Sequence, residues 1–217
     1  MKKNKKIIYK NLIDNRYYNP KLENQYNKIT KDIIKNLNFS NNIFHSLSSR
    51  FQYSFKSQEL NTFKKFKKIV IIGMGGSILG SEAIYCFLKK KIKKNLIFLD
   101  NINNEKLNKL KIYKDLKKIL FIIISKSGST IETISNTLAL GIIKKNSKNI
   151  IIISEKDNNP LYLLSKKMNL FHIEHKNYIG GRYSVLSEVG MVPALLMGLN
   201  ITRFKKNFFI SEKLINN

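Results

Sequence analysis

The sequence predicts an α/β protein: a three-layer α/β/α sandwich on a five-stranded parallel sheet, preceded by a helical N-terminal extension. Short aliphatic runs recur along the chain, separated by segments long enough for crossover helices. The runs are continuous rather than alternating, as in strands buried on both faces of a parallel sheet. Strand-like and helix-like segments alternate, which restricts the connections to right-handed βαβ units. With 217 residues and 43% hydrophobic side chains, the chain has enough apolar material for such a core.

Residues 1–60 contain no strong strand run. After Pro20, the residues Leu22, Tyr26, Ile29, Ile33, Ile34 and Leu37 fall at helical spacing, and the turn-prone stretch 38–42 ends that helix. From about Phe63 the pattern changes, with aliphatic runs at 69–72, 96–99, 119–124, 150–153 and 170–173. The intervening segments 79–91, 104–116, 131–145 and 160–168 are the expected crossover helices. A further apolar segment, 185–199, contains Glu188 and Pro193 and is expected to form a core helix. The expected division is a helical extension over 1–60, an α/β domain over 61–200 and a polar tail over 201–217.

A single cysteine, Cys86, excludes a disulfide framework and a cysteine-based metal centre. The longest aliphatic runs fall far short of the ~18 residues needed to span a bilayer. The Lys/Asn-rich start lacks the apolar run of a secretory signal, so a cytoplasmic protein without membrane partners is expected. The formal net charge is +26, and the excess is lysine: only Arg16, Arg50, Arg182 and Arg203 are arginines among 40 basic residues. Nucleic-acid readers lean on arginine, whose planar fork matches phosphates and guanine edges. Lysine, asparagine and isoleucine all have A/T-rich codons, so genomic base composition is a sufficient cause. The lysines also fall in separate doublets, Lys64-Lys65, Lys67-Lys68, Lys117-Lys118 and Lys144-Lys145, rather than on one basic-aromatic face. No nucleic-acid partner is expected on that pattern.

Three loops carry candidate chemistry. In the first, the run 69–72 leads into Gly73-Met74-Gly75-Gly76-Ser77-Ile78-Leu79-Gly80. Glycines let the backbone approach a ligand, and the amides of the following helix start attract an anionic or polyhydroxylated group. A dinucleotide fingerprint would need a third glycine where Ile78 stands. In the second, Ser125-Lys126-Ser127-Gly128-Ser129-Thr130 precedes a helix, a hydroxyl-rich phosphate cradle without P-loop spacing. Ser129 and Glu132 have capping-box spacing, which makes Glu132 a structural residue. In the third, Gly180-Gly181-Arg182-Tyr183-Ser184 sets an arginine on a tight backbone, suited to a developing oxyanion or a phosphate. A lone loop arginine also fits a surface ion pair, and a serine-rich turn also fits a purely structural role.

In this order, the segments 73–80, 125–133 and 180–190 resemble the glucose-6-phosphate isomerase family. The first two are typical of sugar-isomerase (SIS) domains generally, and the third points to the phosphoglucose isomerase branch. The resemblance spans roughly residues 60–200. It implies interconversion of glucose 6-phosphate and fructose 6-phosphate through a cis-enediolate, without metal or cofactor. By motif position, Ser125, Ser127, Thr130 and Thr133 would hold the phosphate, with Lys126 contributing to that loop. Gly76 and Ser77 would line the sugar side, and Arg182 would stabilise the enediolate.

Family members carry two SIS domains, and the second one and a neighbouring subunit complete the active site. The proton-shuttling glutamate, the ring-opening histidine and a C-terminal lysine belong to motifs that follow this region. Nothing after Asn200 resembles them, so the chain is expected to be the N-terminal part of such an isomerase, in need of its second half or a homodimer partner. His172 and His175 are expected to be structural, and Glu188 follows the wrong motif for the base. The alternative is a non-catalytic sugar-phosphate binding or regulatory module on one SIS domain.

Overall fold

The computed structural model describes residues 19–202, apart from Asn38, Ser49 and Lys114. Of the expected tail over 201–217, residues 203–217 therefore lie outside the described residues. Helix α1 (Pro20–Leu37) starts with proline in its first turn, carries Glu23 there and Lys35 in its last turn, each favourable toward the helix dipole. Only Leu37 of its apolar stripe is buried, and Leu22, Tyr26 and Ile29 remain exposed. After it come short 3-10 turns at Ile43–Leu47 and Asn61–Phe63, with irregular backbone between. The described residues among 48–60 form no α-helix. Phe55 and Leu60 anchor this stretch by packing into the same apolar cluster as Leu186 and Val189.

The α/β part runs β1 (Lys68–Ile72), α2 (Leu79–Leu88), β2 (Asn95–Leu99), α3 (Asn104–Lys111), β3 (Ile119–Ile124), α4 (Ile131–Ala139), β4 (Ile150–Ser154), α5 (Pro160–Met168), β5 (Phe171–Glu174) and α6 (Glu188–Leu196). All five strands are parallel, in the order β2-β1-β3-β4-β5. Every residue of β3 and β4 is buried, whereas the edge strands β2 and β5 are only partly covered. That is why the central runs are unbroken apolar residues: both faces of those strands are roofed.

The two faces bury different members of each run. Ile69, Ile71, Leu120, Ile122, Ile151 and Ile153 meet α2, α6 and the segment before β1. Val70, Ile72, Phe121, Ile123, Ile150 and Ile152 meet α3, α4 and α5. Each such side chain contributes about 1.5–3 kcal/mol when fully buried.

Helix α4 is shorter than the expected 131–145, because the backbone leaves the helix at Leu140 and Gly141 takes φ 61°. Helix α5 matches its expected range: Asn159 Oδ1 accepts from the Tyr162 amide at 3.0 Å, Pro160 occupies the first turn, and Asn169 closes the helix in the left-handed region. No helix among the described residues is long and apolar enough to cross a membrane.

Candidate active site

Strand order fixes where the loops meet. The chain moves from β1 to β2 on one side, then crosses to β3 on the other, so the direction of winding reverses between β1 and β3. In open parallel sheets a ligand crevice forms at such a reversal, outside the carboxyl ends of the strands. The Gly73 loop leaves β1 and the Ser125 loop leaves β3, so both flank this crevice. They are close: a Cβ on Gly73 would lie 3.0 Å from the Ile124 carbonyl oxygen.

The Gly-Gly-Arg loop reaches the same place from the far edge. After β5 the chain runs back across the sheet end, and its 3-10 segment Gly181–Leu186 packs on the 3-10 turn Gly75–Ser77. A Cβ on Gly76 would lie 2.1 Å from the Gly181 oxygen and 2.8 Å from the Arg182 nitrogen. Ser184 Oγ lies 3.2 Å from the Gly76 oxygen and 2.7 Å from that of Gly181, donating across the joint. Val185 is wedged on either side, with its Cβ 2.9 Å from a Cβ built on Gly80 and its oxygen 2.0 Å from one built on Gly190. These glycines serve close packing of backbones rather than helix geometry. Arg182 itself is exposed and, among the described residues, has no ion-pair or hydrogen-bond partner.

In the second loop, Ser125 is buried and its Oγ lies 2.8 Å from Thr130 Oγ1. Ser129 Oγ donates to Ser127 Oγ at 3.0 Å, at the exposed rim of the loop. Gly128 turns the chain with φ 63°. A Cβ there would meet Asn159 Oδ1 at 1.7 Å, so the α5 cap also packs against this loop. Helix α4 begins after Thr130, one residue later than a Ser129–Glu132 box requires, and that box does not form. Thr133, in the first turn, is 1% exposed and its Oγ1 has no hydrogen-bond partner. Exposed amides and hydroxyls at a helix start, with an unsatisfied buried hydroxyl, can donate to the oxygens of a phosphate.

Lys126 is tied to neighbouring segments behind the loop. Its ammonium donates to the Asn177 carbonyl at 2.6 Å and lies 3.6 Å from Glu155 Oε1. It therefore braces the Ser125 loop against the segments after β4 and β5. Ser77 lies in the 3-10 turn beside Gly76, half-buried.

The remaining titratable groups near this edge serve packing. Glu188, in the first turn of α6, is fully buried, and its Oε1 accepts from the Ser54 amide at 2.7 Å. Burial raises its pKa, opposed by hydrogen bonds and by Lys176. His172 Nε2 lies 3.0 Å from Ser154 Oγ, and burial together with Lys156 and Lys166 pushes the imidazole down to about 4. His175 is 1% exposed, and burial with the nearby Lys126 holds it at about 4 as well. Its Nδ1 has no hydrogen-bond partner, unlike the paired Nε2 of His172. Sequence reasoning missed Asn159, Glu155 and Ser184 as supports. Only Asn159 had a local signal, an N-cap residue before Pro160.

A sequence profile described as phosphoglucose isomerase matches residues 22–208. A glucose-6-phosphate isomerase of Acholeplasma laidlawii is 31% identical over 206 residues, covering 85% of this chain and 48% of that protein. One from Borreliella burgdorferi is 37% identical over 140 residues, covering 59% and 26%. Among solved structures, a hypothetical protein from Thermus thermophilus superimposes with TM-score 0.70 at 21% identity, over 86% of this chain and 48% of that one. A glucose-6-phosphate isomerase from Chlamydia trachomatis gives TM-score 0.64 at 21% identity, over 86% and 42%. These two likenesses show the fold. The chain spans about half, or less, of the length of these relatives. The match to the family profile covers most of the chain and includes all three loops at the sheet edge, so this chain belongs to the phosphoglucose isomerase family.

Proposed function

We propose that this chain carries the hexose 6-phosphate grip and the charge-stabilising arginine of a glucose-6-phosphate isomerase. Ser125, Ser127, Thr130 and Thr133 hold the phosphate, Gly76 and Ser77 line the sugar, and Arg182 stabilises the enediolate as the proton moves between C2 and C1. Lys126 acts on the loop from behind, through Asn177 and Glu155. The observation that supports this reading is Arg182, an exposed cation without an ion-pair or hydrogen-bond partner among the described residues, carried on a backbone packed against Gly76. A fixed cation left without a carboxylate is suited to charge that develops only during reaction.

Proton transfer also needs a general base within reach of C2. Glu188, His172 and His175 are engaged in packing. The base therefore comes from outside these residues, from a second SIS domain or a neighbouring subunit, and the protein works in the cytoplasm. The division at residues 60 and 200 belongs to the same proposal.

Calorimetric titration with fructose 6-phosphate, and with fructose as control, tests the grip. Ser127→Ala or Thr130→Ala should weaken binding by about 1–3 kcal/mol each, the worth of a charged hydrogen bond. Equal affinity for phosphorylated and free sugar, or no effect of either exchange, refutes it. In a coupled isomerase assay the purified chain should turn over little or nothing, and family-like turnover overturns the assignment of the base elsewhere.

A further inference from the structure

The opposite pole of the sheet bears a feature that the sugar-phosphate reading does not use. A cleft of about 1190 Å³ opens there, formed by the segments that precede β1, β3 and β4. In a parallel sheet all strands enter from one pole, so segments distant in sequence are brought side by side. The doublets Lys67-Lys68, Lys117-Lys118 and Lys144-Lys145 all line this cleft. Lys65, from the fourth doublet, and Lys148 join them. Eight of the 17 lining residues are thus lysine, against 36 of 217 in the whole chain, so the cleft concentrates positive charge beyond what composition supplies. Asp115 is the one acidic lining residue, and Lys118 already pairs with it at 3.4 Å.

We propose that this cleft binds the backbone of a single-stranded nucleic acid. Its volume exceeds the ~300–1,000 Å³ of a small-ligand pocket, which suits an extended chain rather than one small anion. Lysine ammoniums are mobile point charges without the planar fork that reads base edges, so recognition is of phosphates and independent of sequence. Phe66 and Tyr113 add aromatic surface to the lining, and the Lys68 ammonium stands 3.4 Å from the Tyr113 ring centroid. A cationic groove with aromatic surface accommodates both phosphates and bases of a strand. Eight ammoniums around one concavity also repel one another, and a phosphate chain relieves that repulsion. The doublets, which look scattered along the sequence, form this groove only after folding.

The test is fluorescence anisotropy of the full chain with labelled oligothymidine of about 20 nucleotides, over about 50–200 mM salt. A variant with Lys67, Lys117, Lys145 and Lys148 exchanged for Gln should bind at least ~10-fold more weakly. Its log–log salt slope should be shallower by about 2–3, at ~0.7 per phosphate no longer neutralised. Exchange of the same four lysines for Arg should retain binding, and thermal melts of both variants report folding. The control removes equal charge from α1, with Lys21, Lys28, Lys31 and Lys35 exchanged for Gln, and should stay within ~3-fold of the parent. Equal losses in the two Gln variants would show a diffuse field and overturn the proposal, as would absence of binding. Competition by fructose 6-phosphate would place the strand at the other pole, and inorganic polyphosphate competing as well as unlabelled oligonucleotide would remove the nucleic acid from the assignment; either result overturns the proposal. Failure of the proposed sugar-phosphate grip would leave this experiment unaffected.

Discussion

Replacing Gly76 by alanine tests the joint that sets Arg182. The added Cβ would stand 2.1 Å from the Gly181 oxygen and 2.2 Å from its carbonyl carbon. Ordinary contact begins near 3.4 Å, and both obstacles are backbone atoms that cannot rotate aside. The segment Gly181–Leu186 must therefore shift by roughly 1 Å, an overpacking cost of ~1–3 kcal/mol. The shift also breaks the Ser184 Oγ bond to the Gly76 oxygen, at 3.2 Å, adding ~1 kcal/mol. Equilibrium urea unfolding should show a loss of about 2–4 kcal/mol with an unchanged slope against denaturant. Ser184→Ala alone should cost about 1 kcal/mol, and the double variant less than the sum, since the Gly76→Ala exchange already breaks that bond. Fructose 6-phosphate affinity should fall in parallel, because the Arg182 nitrogen lies only 2.8 Å from the new methyl group. A loss below ~0.5 kcal/mol with unchanged affinity would refute the joint as the device that fixes this loop.

Other perturbations address neighbouring parts. Gly128→Ala forces a side chain into the left-handed region at φ 63° and drives Asn159 Oδ1 off the α5 cap, so chemical denaturation should register a loss of about 2–3 kcal/mol; the loss should shrink when the same exchange is made in an Asn159→Gly background. Thr133→Val removes a buried hydroxyl without a partner, which should leave unfolding free energy unchanged or raised by up to ~1 kcal/mol while lowering affinity for fructose 6-phosphate. A clear loss of stability instead would mean that the hydroxyl is satisfied in the folded chain. For His175 the folded pKa of about 4 lies below the ordinary 6.5, so between these values the unfolded chain binds a proton that the folded chain refuses. Stability from this residue is complete above pH 6.5 and is lost as pH falls toward 4, by on the order of 3 kcal/mol. The raised pKa of Glu188 acts in the opposite sense, favouring the folded state on acidification. The difference between parent and His175→Gln unfolding curves at about pH 7 and 4.5 isolates the histidine, and identical pH dependence in both would refute the assignment.

Much of the architecture was legible because its signals are local. Continuous apolar runs mark strands covered on both sides, and the strands at β1, β3 and β4 fall within a residue of their expected limits. Asn159-Pro160 announces α5, and turn chemistry at Gly128 is borne out by its positive φ. Errors arose where a local pattern had a competing tertiary solution. The Ser129–Glu132 spacing fits a cap, yet the helix starts one residue later, and Ser129 donates to Ser127 instead. The contacts of Lys126 with Asn177 and Glu155 are long-range, and the loop sequence alone does not announce them.

The amino-acid order by itself determined the elements, the three glycine- and hydroxyl-bearing loops and the family to which they belong, since periodicity and turn preferences act over a few neighbouring residues. Folding alone decided which strands pair, which members of each isoleucine run face which layer, and which loops share an edge. Pairing of β1 with β3 rather than only β2 places the crevice, and the contact of Gly76 with Gly181 and Ser184 joins residues up to 108 positions apart. The same long-range pairing gathers separate lysine doublets around one cleft. Interactions of this kind depend on distances that exist only once the sheet has assembled, and no window of sequence contains them.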